Sequence, residues 1–206
     1  MSKLRLLTIN FFLFLFISAQ DTCHDFTRMK LNEGDCNCRY TDSVGLNTIA
    51  IGWNIEKAGG KEGKKNHQKS KLKFSTGLQN VGANYNLIMS SSCYDGNKCS
   101  TSKCTNNGCI SESQKRSLYT TSISESVTCA SRWLSNWSSL HGLAKSAVID
   151  MAFNMGCSRL AGFRNFKAAL ERKDYQRAVI EMGDSRWCTQ VGARCKRDQD
   201  CMRSAR

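Results

Sequence analysis

Residues 29–54, MKLNEGDCNCRYTDSVGLNTIAIGWN, carry the pattern that decides the fold. Gly34 is a natural helix stop, so the short amphipathic run before it predicts a helix that ends at Glu33. Alternation over residues 36–40, turn-forming residues at 41–45 and a β-rich run at 47–53 predict a hairpin over residues 36–53.

Two carboxylates in this stretch, Glu33 and Asp42, lie nine residues apart. Because the first ends the predicted helix and the second lies in the predicted turn, they can face each other across a cleft. Glycoside hydrolysis needs such a pair, one acid to protonate the leaving oxygen and one base to activate water. The spacing alone is common in chains of this size, so the rest of the sequence must decide whether Glu33 and Asp42 form a catalytic pair.

The first 20 residues, MSKLRLLTINFFLFLFISAQ, have the features of a secretory signal. Lys3 and Arg5 precede an apolar run, and small or polar residues close the segment. We expect cleavage after Ala19 or Gln20, which predicts a secreted, extracellular protein. The alternative is a signal anchor, but the apolar run is short for a bilayer span of ~20 residues.

All twelve cysteines follow the signal segment, and an even count behind an export signal predicts a disulfide framework. The candidates are Cys23, Cys36, Cys38, Cys93, Cys99, Cys104, Cys109, Cys129, Cys157, Cys188, Cys195 and Cys201. Zinc is disfavoured because the chain has no C-x-x-C and only His24 lies near a cysteine in sequence. We therefore expect no metal and no cofactor, and the sequence leaves the pairing open.

Lys and Arg outnumber Asp and Glu by 30 to 17, which gives a net charge of +13. For a secreted protein, such a field favours a bacterial wall or an anionic membrane as partner over nucleic acid. The basic residues are also scattered and not interleaved with aromatic ones, as single-strand binding requires. We expect an anionic bacterial surface as a partner, no nucleic acid, and a monomer.

From residue 111 onward the pattern is helical. Ser111 and Gln114 have the spacing of a capping box, and Asp174 can cap another helix. Residues 144–155 are apolar on most faces, as a central core helix is, and Gly156 ends that run.

The predicted fold class is therefore α+β. We expect one domain over residues 21–206, with a small N-terminal β-hairpin lobe (21–92), a disulfide-rich loop (93–109) and a larger helical lobe (110–206). The cleft between the two lobes is the expected ligand site.

Three blocks of sequence resemble the phage-type lysozymes, muramidases of glycoside hydrolase family 24. EG at 33–34, YTDSVG at 40–45 and TIAIG at 48–52 are similar to the signature E-G-…-Y-x-D-x-x-G-x-x-T-I-G-x-G. DMAFNMG (150–156) with AGF (161–163) resembles the core helix and following turn of that family. SRW (185–187) with Arg194 and Lys196-Arg197 resembles its S-R-W…R-x-K-R block. The blocks occur in the family's order, and the signal and cysteines suit a secreted, cysteine-rich member.

The resemblance implies a lysozyme-like fold that cleaves the β-1,4 bond between N-acetylmuramic acid and N-acetylglucosamine in peptidoglycan, with inversion. Glu33 matches the catalytic acid, Asp42 the carboxylate that holds and activates water, and Thr48 the residue whose hydroxyl helps to place that water. Inversion requires the two carboxyl groups to stand ~6.5–9.5 Å apart, which leaves room for the water.

Further residues are expected near the substrate. Phe153 and Asn154 match positions that line the sugar cleft, with core packing as the alternative, and Arg186 lies near them. Arg194 matches an arginine that approaches the glutamate and restrains the raised pKa that a general acid needs. Trp187 is expected in the core.

The sequence departs from the family signature at two positions, Ala50 for a glycine and Trp53 for a histidine. The extra methyl group of Ala50 is tolerable unless the backbone φ angle there is positive. Trp53 replaces a structural ion-pair partner and could stack on a sugar ring, so it is a substrate-binding candidate.

Other functions remain open from sequence. The same fold could serve a non-catalytic cationic protein that binds the cell wall, or a membrane-active antibacterial protein. A hydrolase of a related polymer such as chitin is a further alternative, because residues 54–110 contain no recognisable substrate subsites.

Overall fold

The computed structural model describes residues 26–33, 35–41, 47–54, 76–91, 94–95, 98–99 and 108–206. One compact unit is Phe26–Ser124, and the second contains Glu125–Arg206. The predicted lobe bounds, with a helical lobe from residue 110, stay a prediction. The predicted signal segment 1–20 lies outside the described residues.

The first unit combines helices with two small antiparallel sheets, ordered β1-β2-β3 and β4-β5. Helix α1 ends at Glu33, and the antiparallel pairing of β1 with β2 confirms the predicted hairpin. The bounds are α1 (Phe26–Glu33), β1 (Cys36–Thr41), β2 (Asn47–Ala50), β3 (Trp53–Asn54), α2 (Tyr85–Ser90), β4 (Tyr94–Asp95), β5 (Lys98–Cys99) and α3 (Glu112–Trp133).

The hairpin is held in register next to its turn. Tyr40 pairs with Thr48, and Thr41 pairs with Asn47. The guanidinium of Arg39 donates to Asn47 Oδ1 at 2.8 Å and to the backbone oxygen of Ser91 at 3.0 Å. The first bond ties β1 to the start of β2, and the second ties β1 to the end of α2.

Ala50 has a φ angle of +59°, in the left-handed region. There a Cβ atom crowds the following carbonyl oxygen, at a cost of about 1–2 kcal/mol. The extra methyl group of Ala50 is tolerable only where φ is not positive, so this residue is strained. The angle also explains why glycine suits this position, since glycine has no Cβ.

The core of the first unit is small. Ile49 of β2, Leu78, Ile88 of α2 and Leu118 of α3 are each at most 2 % exposed and form one cluster. Trp53 packs against this cluster, and its indole lies 3.0 Å from the place that a Cβ on residue 77 would occupy. A side chain there would push against the indole, so glycine is favoured.

The second unit is helical. The bounds are α4 (Gly142–Met155), α5 (Cys157–Leu160), α6 (Arg164–Glu171), α7 (Tyr175–Gly183), α8 (Arg186–Val191) and α9 (Ala193–Arg203), with a 3₁₀ turn at Trp137–Ser139. Helix α3 ends at Trp133, before this 3₁₀ turn.

Helix α4 is the central helix that the sequence predicts. Ala144, Ala147, Val148 and Met151 are fully buried in the main core cluster of the second unit. Gly156 ends the helix with a φ angle of +79°, which glycine adopts at little cost.

Two predicted helix caps are confirmed. Ser111 and Gln114 form a reciprocal capping box, in which Ser111 N donates to Gln114 Oε1 at 2.8 Å and Gln114 N to Ser111 Oγ at 3.2 Å. Asp174 Oδ1 accepts from the Arg177 backbone N–H at 2.9 Å and caps α7.

The cysteines support the predicted framework. Three disulfides are fully described, Cys38–Cys109, Cys129–Cys157 and Cys188–Cys195. Cys36 and Cys201 are disulfide-bonded as well. Such bonds fit an extracellular protein, because they persist in oxidising compartments.

The fold is mostly helical with small antiparallel sheets, which agrees with the α+β class. Within the described ranges, the helices are too short or too polar to cross a bilayer.

Candidate functional site

Two of the predicted catalytic residues lie in the first unit. Glu33 is the last residue of α1, directly before the β1–β2 hairpin. Thr48 lies in β2, the middle strand of its sheet, and is 2 % exposed. Asp42 follows the last residue of β1 and lies outside the described residues, so the separation of the two carboxyl groups stays a prediction.

A cluster of four charged side chains includes Lys30, three residues before Glu33, and Asp35, two residues after it. Lys30 of α1 pairs with Asp35 Oδ2 at 3.0 Å and with Glu112 Oε1 at 2.8 Å. Lys115 of α3 binds Asp35 Oδ1, Glu112 Oε2 at 2.7 Å and Asn37 Oδ1 at 2.6 Å. The side chain of Lys115 is only 3 % exposed, so its three N–H donors need these three acceptors.

In this cluster the pKa values of Lys30, Asp35 and Glu112 are shifted in the direction that favours their charged forms. Burial alone would raise the pKa of Asp35, but hydrogen bonds from Lys115 and Lys30 outweigh it, and the pKa lies below its usual value. The hydrogen bond from Lys115, followed by that from Lys30, lowers the pKa of Glu112. The hydrogen bond to Glu112 raises the pKa of Lys30.

The second unit contains an open pocket of about 780 Å³ that brings two predicted substrate-binding residues, Asn154 and Arg186, together. The pocket is mixed in polarity and in charge, with three guanidinium groups and two carboxylates. Its charged and aromatic lining consists of Arg159, Phe163, Arg164, Phe166, Glu181, Asp184, Arg186 and Trp187. Guanidinium groups beside aromatic rings suit a polar ligand that carries hydroxyl or carboxylate groups.

Trp187 forms one wall of this pocket and is otherwise part of the core, at 7 % exposure, as the sequence predicts. Its indole Nε1 donates to Asn154 Oδ1 at 2.9 Å. Because an indole nitrogen can only donate, this bond fixes the orientation of the Asn154 amide. The rigid core thus holds a polar pocket residue in place.

Arg194 is buried in the second unit and forms a two-pronged ion pair with Asp150 of α4. Its Nε donates to Asp150 Oδ2 at 2.7 Å and its Nη2 to Asp150 Oδ1 at 2.8 Å. The side chains are 6 % and 0 % exposed. The predicted approach of Arg194 to the glutamate, and its contact with substrate, stay predictions.

The two aromatic candidates differ in their surroundings. Trp53 packs on the core of the first unit, whereas Phe153 is half-buried on α4 next to Asn154. Their predicted contacts with sugar rings stay predictions.

Sequence reasoning missed two groupings, the cluster around Lys115 and the Asp150–Arg194 pair. The pairing of Glu112 with Lys115, three residues apart on one helix, was visible in the sequence. The contact of Lys115 with Asp35 was not visible, because Asp35 and Lys115 lie 80 positions apart. An aspartate inside the apolar helix α4 was the available signal for the second grouping.

Among the residues that the structure describes, no group of three His, Cys, Asp or Glu side chains is placed to hold a metal ion. No model of a known protein family matches this chain.

Proposed function

We propose that the protein is a secreted lysozyme that hydrolyses the β-1,4 bond between N-acetylmuramic acid and N-acetylglucosamine in bacterial peptidoglycan. The observation that carries this proposal is a sequence order matched by local structure. Glu33 ends a helix, the chain then enters a hairpin, and Thr48 lies in the middle strand of the sheet. This is the order in which the lysozyme-like signature places its acid, its base and its water-positioning hydroxyl.

In this mechanism Glu33 is the general acid that protonates the leaving glycosidic oxygen. Asp42 is the carboxylate that orients and deprotonates the attacking water, and Thr48 helps to place that water. Attack from the face opposite the leaving group inverts the anomeric centre. Positive charge develops on the sugar ring as the bond breaks, so the anionic Asp42 also stabilises the transition state.

The pocket of the second unit supports a role in substrate binding. Arg186 and the Asn154 amide offer hydrogen-bond partners for N-acetyl and hydroxyl groups, and Phe163 and Trp187 offer apolar surface. The net charge of +13 supports attraction to an anionic bacterial surface.

The test is hydrolysis of purified peptidoglycan by the wild type and by Glu33→Gln. Loss of a general acid typically costs about 10²- to 10⁴-fold in rate, so Glu33→Gln should fall by at least about 100-fold while it still sediments with the polymer. Glu171→Gln is the matched control, because it makes the same chemical change at a surface residue on α6 outside the pocket. Equal rates for Glu33→Gln and the wild type would refute the enzymatic proposal.

The stereochemistry of the product tests the role of Asp42. Inversion predicts that the first product carries the α-anomer at its new reducing end, which proton NMR detects before mutarotation. A β-anomer would assign Asp42 as a nucleophile, not as a base.

The net charge also favours a second candidate, a cationic antibacterial protein that kills without catalysis. Bacterial killing by Glu33→Gln at the wild-type level, together with absent hydrolysis, would support that candidate.

A further inference from the structure

Helix α1 is fastened to α3 on the side of the chain that precedes Glu33. The ring of Phe26 meets Tyr119 edge-on at 5.1 Å between centroids, and the guanidinium of Arg116 lies 4.0 Å above the same Phe26 ring. Lys30 pairs with Glu112 in the first turn of α3. These contacts fix the body of the helix that Glu33 ends.

The chain that follows Glu33 is fastened to the same region. Lys115 binds the side chains of Asp35 and Asn37, and the Ile110 backbone N–H donates to the backbone oxygen of Asn37 at 2.7 Å. The disulfide Cys38–Cys109 adds a covalent link one residue further on. Asp35 lies two residues after Glu33, within about 7 Å of backbone.

Glu33 thus lies in sequence between two residues, Lys30 and Asp35, that are both bonded to the first turn of α3. Lys30 precedes it by three residues and Asp35 follows it by two, and both are bonded to each other and to the first turn of α3. Lys115 is the only member of this cluster that is nearly fully buried, and it joins three oxygen acceptors at one point. A general acid contributes its full effect only when it is held in the productive geometry.

We infer that Lys115 is a positioning residue for the catalytic acid, because it holds the backbone on the C-terminal side of Glu33 against α3. The inference rests on the proposed lysozyme activity and deepens it. Lys115 is not a catalytic residue, since its role is carried through Asp35 and Asn37.

The experiment compares Lys115→Met with Gln114→Ala, its neighbour on α3. Among the described residues, the side chain of Gln114 bonds Ser111 and Val81 and does not bond residues 35–37, so its loss weakens the start of α3 without releasing that segment. Two readouts are taken, steady-state kinetics on soluble peptidoglycan fragments and amide hydrogen exchange of residues 33–38.

Lys115→Met should lower kcat by about ten- to a hundred-fold with KM within about two-fold, because misplacement of the acid affects the chemical step more than binding. Exchange at residues 33–38 should rise by at least about ten-fold, since the local opening free energy falls. Gln114→Ala should lower the melting temperature but leave kcat and the exchange of residues 33–38 unchanged.

Asp35→Ala is the second variant, in case Lys115→Met does not fold. The Asp35 side chain is 35 % exposed, and its removal releases the same anchor without a buried cavity. The same fall in kcat and the same rise in exchange are expected.

Wild-type kcat in Lys115→Met or Asp35→Ala would overturn the inference, as would an equal loss of kcat in Gln114→Ala. A wild type that does not hydrolyse peptidoglycan overturns the proposed function and the catalytic part of the inference. Amide hydrogen exchange then still tests whether Lys115 anchors the segment. Unchanged exchange rates of residues 33–38 in Lys115→Met would refute the anchoring.

Discussion

The buried pair of Asp150 and Arg194 should stabilise the second unit only as long as both charges are present. Asp150→Asn keeps the side-chain shape but removes the negative charge and replaces one acceptor oxygen by a donor. The guanidinium of Arg194, whose side chain is 6 % exposed, then loses one of its two short bonds to Asp150 and the negative charge of that carboxylate.

The magnitude follows from the burial of both groups. Removal of one partner from a buried ion pair costs about 3–5 kcal/mol, and a retained acceptor oxygen reduces this to roughly 2–3 kcal/mol. For a chain of this size, a loss of 1 kcal/mol lowers the melting temperature by about 2–4 °C. Asp150→Asn should therefore melt about 4–12 °C below the wild type.

The assay is urea denaturation followed by far-UV circular dichroism, with a thermal melt in parallel. Asp200→Asn is the matched control, because it makes the same change in an exposed pair with Arg203, whose side chains are 64 % and 45 % exposed. Exposed pairs contribute at most about 1 kcal/mol. If Asp150→Asn costs no more than Asp200→Asn, burial does not set the strength of this pair.

A double-mutant cycle isolates the coupling between the two groups. In an Arg194→Met background, Asp150→Asn should cost less, because no buried cation then needs neutralising. The difference between the two backgrounds should be on the order of 1–3 kcal/mol. Equal costs in both backgrounds would assign the loss to other neighbours of Asp150.

Three further outcomes are expected. Hydrogen bonds depress the pKa of Asp35 and Glu112, so the contribution of these two carboxylates to stability is complete above the unfolded pKa values near 4 and is lost as the pH falls below them. Asp35→Asn should therefore reduce the pH dependence of the urea midpoint between pH 5 and 2, and curves parallel to those of the wild type would contradict this. Removal of the Cys38–Cys109 disulfide by paired alanine substitution should destabilise the protein more than removal of Cys188–Cys195. The two bonds span 71 and 7 residues, and the entropy of loop closure grows with loop length. The reverse order of melting temperatures would refute this. Asn136 is the first residue of an Asn-Trp-Ser glycosylation sequon. Its Nδ2, the atom that would carry a glycan, donates to the backbone oxygens of Leu170 at 3.0 Å and Glu171 at 3.3 Å, so folding competes with glycosylation. The intact mass of the secreted protein should show no glycan at Asn136, and full occupancy would contradict this.

Local features of the fold could be predicted because their signals are local in sequence. The helix stop after Glu33, the hairpin and the capping residue Asp174 each depend on a few neighbouring side chains. Hydrophobic periodicity identified α4 as the central helix, since only a buried position accepts apolar residues on most faces.

Long-range pairings could not be predicted in this way. Lys115 and Asp35 are 80 residues apart, and Arg194 and Asp150 are 44 apart. Nothing in either charge identifies its partner, because the chain carries 30 basic and 17 acidic residues that could pair in many ways. The pairing of the cysteines was open for the same reason.

The sequence by itself determined the elements around Glu33 and the buried positions of α4. The tertiary structure decided that Ala50 lies in the left-handed region, that Asn154 and Arg186 share a pocket with Trp187, and which cysteines pair in three disulfides. The physical reason is that propensities and caps act within a few residues, whereas burial and charge pairing depend on which distant segments meet when the core closes.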